Sequence, residues 1–339
     1  MKKKRVYMYP QNDYSTLESP NPYVLNVSEA IRERHLIINE KPNRIGVAEF
    51  FLFLFKTDVF FFNWIEDVSV KRLGKVQALM MPFFIFMTWL FRKKIVWVLH
   101  NVYSHEKKNK KWTRYGFRQM IRNADIILTH SLEGVEFAKR EFPKHAKKVK
   151  YIIHPIDELL IEATVQKEYD ILIWGTIHPY KGVIEFLEFA TQNEGLNQMR
   201  ILVSGICPHP ELKERLFELL TPNIEYRDGF FDIEDISEMT TKSRYTLFTY
   251  NSGSILSSGS LMDSIRMGAM IIGPDKGSFR DLKSEKFIET YSNLNDIARI
   301  IAKYSDNEAE RLKEQIAFCE RNSWKHFGNQ LFDCSEGVL

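Results

Sequence analysis

The sequence predicts an α/β protein built from two doubly wound parallel sheets, and three observations carry that expectation. Short apolar runs alternate with longer amphipathic ones almost from end to end, the pattern of parallel strands covered by helices on both faces. The 339 residues are enough for two cores of ordinary size. Charge divides near the middle: residues 1–155 hold 28 Lys and Arg against 14 Asp and Glu, and the remainder 19 against 30. Two halves with different partners are therefore expected, the basic one facing something anionic.

Taken in order, strands are expected at Val6–Tyr9, Leu36–Asn39, Val59–Asn63, Ile95–Leu99, Ile126–Thr129 and Val149–Ile153, with helices between most of them. Residues Pro155–Glu168 lack a sheet-like run, which puts the junction there and gives domains of 1–160 and 161–321. The second half continues with strands at Asp170–Trp174, Arg200–Ser204, Ile224–Arg227, Tyr245–Tyr250, Met270–Gly273 and Phe287–Glu289. No repeat of solenoid period and no low-complexity segment interrupts the series.

Hydrophobic residues at 44% and charged residues at 27% are near the globular average, so neither wholesale disorder nor an integral membrane protein is indicated. Aromatic content is high, with 25 Phe. The three cysteines, Cys207, Cys319 and Cys334, are widely spaced and odd in number, so neither a disulfide framework nor a metal site is expected, and a reducing compartment is the default. Lys2–Arg5 precede only the short run Val6–Tyr9 before Pro10, so no signal peptide is expected. Val76–Phe91 is nearly all apolar and is followed by Arg92, Lys93 and Lys94. It is short for a bilayer span and reads first as a buried helix between two strands. The other reading is a helix partly exposed at a membrane surface, its basic cluster on anionic headgroups, with Phe50–Phe55 extending the same face.

Two turns carry chemistry. In Ser252–Gly268, small residues let the backbone approach an anion, the five serines up to Ser260 supply donors, and a helical pattern from Leu261 points free N–H groups at the same spot. Gly253, Ser257, Ser258, Gly259 and Ser260 thus form a candidate diphosphate cradle; the plain alternative is a surface loop capping a helix. The second turn, Gly175-Thr176 to Lys181-Gly182, follows the first strand of the second half and leads into an amphipathic helix. A lysine there would neutralise a leaving diphosphate; otherwise it is a solvated lysine at a helix start.

On these motifs the chain resembles the GT-B glycosyltransferases, over nearly its full length. Gly175–Gly182 resembles the family's Gly-Arg-Leu-x-x-x-Lys-Gly turn, Ile224–Gly229 its strand ending in Gly, and Met262–Gly268 its Leu-Glu-Ala-Met-Ala-x-Gly helix. His100-Asn101 is similar to a family His-Asn pair, and Asn63-Trp64-Ile65-Glu66 to a His-Trp-x-Glu of a bacterial subgroup. The tail Asn322–Phe332 is similar to a last helix that returns to the first domain, so 322–339 is expected to join 1–160. The chain departs from the pattern where Thr176 replaces an arginine, and where Ile255 and Asp263 stand on the two glutamates of Glu-x7-Glu; the glycine-rich loop after the first strand is also missing.

The resemblance implies two Rossmann-like domains facing a cleft, with a donor of the UDP or GDP type in the second and a saccharide acceptor in the first. Donor contacts would come from both turns, from Asp263 at the ribose and from Phe230, within Asp228–Phe231, at the nucleobase. If the reaction inverts, Glu66 or Asp13 on the first-domain rim would take the acceptor proton; the alternative for Glu66 is a solvated acid beside Asp67. His100 would hydrogen-bond the donor sugar or the acceptor, or else cap the core edge. His105 and Glu106 with Lys107, Lys108, Lys110 and Lys111 read as a basic loop or a solvated face. Seven further histidines, His130 and His154 among them, show no metal-ligand spacing, so no metal is expected. The basic, aromatic half suits a polyprenyl-diphosphate-linked acceptor in cell-surface polysaccharide or glycoconjugate synthesis, at the cytoplasmic face of the membrane. A non-catalytic nucleotide-sugar binder and a sugar-nucleotide epimerase are the alternatives. Nucleic-acid binding is disfavoured, since no Arg-rich recognition helix or aromatic RNA motif is present.

Overall fold

The computed structural model describes residues 2–11, 22–42, 44–101, 110–161, 165–251, 256–303 and 307–339. Strands β1 (Arg5–Tyr9), β2 (Leu36–Ile37), β3 (Val59–Asn63), β4 (Lys94–Leu99), β5 (Ile126–Thr129) and β6 (Val149–Tyr151) form a sheet in the order β2-β1-β3-β4-β5-β6. Strands β7 (Tyr169–Trp174), β8 (Ile201–Ser204), β9 (Ile224–Arg227), β10 (Ser243–Leu247), β11 (Ile271–Pro274) and β12 (Ile288–Tyr291) form another, ordered β12-β11-β10-β7-β8-β9. Every pairing of these strands is parallel.

The helices of the first half are α1 (Tyr23–Arg32), α2 (Val47–Phe53), α3 (Gly74–Leu90), α4 (Lys110–Asn123) and α5 (Leu132–Glu141). Those after it are α6 (Val183–Gln192), α7 (Pro210–Glu218), α8 (Ile233–Thr241), α9 (Gly259–Arg266), α10 (Gly277–Asp281), α11 (Leu294–Lys303), α12 (Glu308–Arg321) and α13 (Trp324–Cys334). The chain divides into two compact units. One comprises Met1–His154, Ser254–Ser257 and Trp324–Leu339; the other comprises Pro155–Gly253 and Ser258–Ser323.

Strands buried on both faces explain why the sequence reads as unbroken apolar runs. Successive side chains alternate sides: Tyr7, Tyr9, Phe60 and Phe62 enter the core layer shared with Phe50 and Phe84, while Val6, Met8, Val59 and Phe61 enter the opposite layer with Val24, Val27 and Phe327. The second sheet repeats the device, with Ile171 and Ile173 on one side and Leu172 on the other. Helix α13 packs on α1 in the first unit: Gly328 lies against Ala30, and Arg34 reaches Asn329 and the Phe332 ring.

All twelve expected strands are present, three with the expected bounds and the rest with ends moved by up to three residues. Beyond Ile37 the expected second strand stops because Asn39 turns its side-chain amide onto β1, accepting from Met8 N at 2.8 Å and donating to Met8 O at 2.7 Å. One expectation needs correction. The apolar stretch expected as a buried helix is α3, yet only one of its faces is buried; Leu79, Phe83, Phe86 and Trp89 are more than half exposed.

Each sheet has one point where the strand order reverses, between β1 and β3 in the first and between β7 and β10 in the second. Crevices at the carboxyl ends of such strand pairs are where open α/β sheets bind ligands.

Candidate functional site

In the second unit the lysine-bearing turn leaves β7, and the chain leaving β10 lies beside it at that reversal and resumes in this unit at Ser258. Gly175 takes φ +91° and Gly182 φ +66°, conformations that strain other residues. A Cβ on Gly182 would stand 2.4 Å from the carbonyl oxygen of Thr249, so this turn lies directly on the chain leaving β10. The contact is reinforced by Asn251 N donating to Tyr180 O at 3.1 Å and by the Thr249 hydroxyl donating to Lys181 O. Gly182→Ala is therefore expected to cost about 1–3 kcal/mol and to lower the melting temperature by several degrees. Calorimetry checks this, and an unshifted transition would show that the turn does not need the close approach.

Lys181 Nζ lies 6.0 Å from the centre of the Tyr250 ring and 3.1 Å from where a Cβ on Gly175 would be. Burial pulls its pKa from 10.5 down to about 8. On the other turn Ser258 caps α9, its hydroxyl accepting from Leu261 N at 3.3 Å. The Tyr250 hydroxyl lies 3.3 Å from Ser258 Oγ and also engages Ser260. Tyr250 thus stands between the ammonium group and the serine hydroxyls. A desolvated cation, hydroxyls and a helix N-terminus meet at one strand reversal, and each of these groups favours a negative charge beside it.

The structure places the other expected donor residues as follows. Thr176, Ser257, Gly259 and Ser260 are half-buried in their turns. Phe230, 76% exposed, follows β9 and is free of the core, whereas Phe231 packs against it. Asp263 accepts from Arg266 Nε at 3.0 Å, and burial raises its pKa against the opposing pull of that arginine. Asp228 is paired with Lys213 and accepts from the Tyr226 hydroxyl at 2.8 Å. Gly253 and Ile255 lie outside the described residues, as do Asp13 and the stretch His105 to Lys108.

In the first unit the carboxyl edge carries a cluster that no local pattern announced. His100 follows β4, stacks on Trp64 with ring centres 4.2 Å apart, and meets Tyr23 edge-on at 5.0 Å. Tyr23 also contacts His130, His154 and Trp324 at 5.3–5.8 Å. Protonation follows from the hydrogen bonds. Ile152 O, 2.8 Å from His130 Nδ1, can only accept, so Nδ1 carries the proton and Nε2 accepts from the Tyr23 hydroxyl at 2.6 Å. Burial holds His130 near a pKa of about 3.

The side chain of Asn63 donates its amide to Tyr9 O at 3.3 Å, which presents Oδ1 to His100 Nε2 at 3.1 Å. His100 Nε2 is then the donor, and Nδ1 carries a free lone pair. Burial, with the neighbouring His130 and His154, holds its pKa well below that of an ordinary histidine. Among the described residues no group of three or more His, Cys, Asp or Glu is arranged to hold a metal.

Glu66 is not on a rim, nor is it solvated. Trp64 takes a left-handed conformation, φ +49°, and starts a short 3-10 helix, Ile65–Val70, that tucks the carboxylate inward. Glu66 is 4% exposed and accepts from the Trp97 indole N–H at 3.0 Å. Burial, helped by Asp67, pushes its pKa up to about 8, so it is mostly a neutral acid at pH 7.

The two sheets, their strand orders and these carboxyl-edge turns define the class: the fold is the GT-B fold of glycosyltransferases. No known protein family and no curated protein matches the sequence. Solved structures do. The chain is similar to HepE of Anabaena in complex with UDP, with a TM-score of 0.70 at 14% identity over 97% of this chain and 98% of that one. It is also similar to a glycosyltransferase of Rickettsia africae, with a TM-score of 0.64 at 13% identity over 100% and 99%. TarM aligns with a TM-score of 0.60 at 12% identity, over 89% of this chain and 60% of TarM.

Proposed function

We propose that this chain is a glycosyltransferase that moves a sugar from a nucleotide-diphosphate donor, held by the second unit, to a saccharide acceptor held by the first. The observation that carries the reading is the meeting of the Lys181 turn and the Ser258 turn across Tyr250. Structures described as HepE in complex with UDP and with UDP-glucose, and as pneumococcal GtfA in complex with UDP and GlcNAc, support a donor of the UDP type.

In this reading Lys181 becomes fully charged against the diphosphate and stabilises it as it departs. Ser258, Ser260 and the first N–H groups of α9 donate to its oxygens. Gly175 and Thr176 let the backbone approach, Asp263 meets the ribose, and Phe230 stacks on the nucleobase. No metal is required for this charge balance. On the acceptor side His100 Nδ1 is the group able to take a hydroxyl proton. Glu66 acts as a positioning residue, holding Trp97.

We further assign a lipid-linked acceptor, in cell-surface polysaccharide or glycoconjugate synthesis at the inner face of the membrane. The half-exposed apolar surface of α3 supports that location. No helix among the described residues is long and apolar enough to cross a membrane.

A thermal-shift panel of UDP, GDP and ADP tests the donor. UDP is expected to raise the melting temperature, since a ligand bound only by the folded state stabilises it. No shift with any nucleoside diphosphate would sink the assignment. The transfer step is read separately, by release of UDP from UDP-sugars upon adding saccharide.

A further inference from the structure

Helices that are apolar all round are usually buried or in contact with lipid. In α3, Ala78, Met81, Phe84 and Ile85 are buried, while Val76, Leu79, Phe83, Phe86 and Leu90 are each 51–61% exposed. Their spacing of three and four residues puts them in one stripe. Trp89, at 72% exposure, Leu52 in α2, at 67%, and Phe55 just after it, at 65%, widen it. The helices are joined into one surface by Phe51 stacked on Phe83 at 5.5 Å and by Phe55 against Phe91 at 4.8 Å. A continuous exposed apolar surface of this kind marks an interaction site. Basic residues frame it: Lys71, Arg72 and Lys75 at one end, and Lys56, Arg92 and Lys93 at the other.

At the C-terminal end of α3 an open cavity of about 820 Å³ adjoins this surface, within the range of small-molecule sites, roughly 300–1,000 Å³. Its lining includes the apolar Phe86, Trp89 and Leu90 and the polar Arg92, Lys93 and Gln119. Asp125 also lines it, but that carboxylate already accepts from Lys94 Nζ at 2.8 Å and from Ile95 N at 2.9 Å. The charge left facing the cavity is therefore positive. The strands start at this edge of the first sheet, so the cavity is remote from His100, which follows the end of β4.

We propose that this cavity takes one anionic phospholipid, with its phosphate on Arg92 and Lys93 and its upper acyl chain along Phe86 and Trp89, while the exposed faces of α2 and α3 rest in the membrane interface. The inference rests on the membrane location proposed above and is independent of sugar transfer. A basic frame around an apolar, tryptophan-bearing face matches an anionic lipid surface. The same frame opposes a second copy of the chain, whose like charges would meet it.

The test uses the full chain with short-chain phosphatidylglycerol below its micelle concentration. One-to-one saturable binding is expected, weakened about tenfold or more in Arg92→Glu/Lys93→Glu and unchanged in Arg72→Glu/Lys75→Glu. Absence of saturable binding, or equal loss in both variants, overturns the cavity assignment. Displacement by millimolar inorganic phosphate alone would also overturn it, marking a free-phosphate site. Flotation with phosphatidylcholine vesicles, with and without phosphatidylglycerol, is the second arm. Preference for the anionic vesicles supports the proposal; binding without preference rejects the lipid site but keeps the membrane location, and no binding rejects both. Light scattering that shows a dimer abolished by Trp89→Glu would reassign the surface to a second copy. The UDP thermal shift stands apart from all these outcomes.

Discussion

Replacing Lys181 by Met is expected to raise the melting temperature of the free protein and to abolish its stabilisation by UDP. The lysine's pKa falls from 10.5 to about 8 through burial alone. Between those values the unfolded chain holds more protons than the folded one, so this group's contribution to stability rises with pH across that window. Below it, at neutral pH, the folded state bears the full cost of a desolvated ammonium, on the order of 3 kcal/mol. Methionine keeps the apolar stem and removes that cost.

A bound diphosphate reverses the situation by supplying the missing counter-charge, so UDP binding should draw a proton onto Lys181. Near pH 8 the uptake is about half a proton, read by calorimetry in two buffers of different ionisation enthalpy. Affinity should weaken as pH climbs past 8. A Met variant that melts lower and still responds fully to UDP would contradict this account.

The other large effect concerns His100. Its Nε2 is committed to Asn63 Oδ1 and its pKa lies well below the ordinary histidine value, so Nδ1 stays unprotonated throughout the neutral range. His100→Ala is expected to reduce kcat by about 10²–10⁴, the usual worth of a general base, with little change in donor KM. A purely structural histidine would not set the pH profile; a base must. Its activity falls only as pH drops through its own pKa, so the acid limb of kcat/KM should lie below 6.5 in the wild type. A limb at or above that value, or an alanine variant with intact kcat, would remove the role. Glu66→Gln offers a contrast: it keeps an acceptor for the Trp97 indole and should leave the profile in place.

The two sheets were readable because strands such as Val59–Asn63 are buried on both faces and leave uninterrupted apolar runs. The place of the lysine-bearing and serine-bearing turns after their strands was readable too, since the glycines and serines that break the apolar runs are local signals. Their meeting depends on β10 lying beside β7, which follows from the doubly wound order. What escaped was non-local or conformational. Tyr23 and His130 are 107 positions apart and meet only because α1 begins at the edge where β5 ends. A left-handed Trp64 leaves no periodic trace, and it turns Glu66 inward onto Trp97. The exposure of α3 was equally hidden, because a helix with apolar residues on every side has the same pattern whether one face or both are covered.

The seating of α13 against α1 has a consequence for biosynthesis. Val24, Val27 and Ile31 share a core layer with Phe327, Leu331 and Phe332, and the ribosome makes those last three only after all of Pro155–Ser323. Until then, one flank of the first sheet is covered only in part, by α1, while the second sheet has every strand it needs. Dependence on a holdase chaperone should accordingly be concentrated in the amino-terminal half.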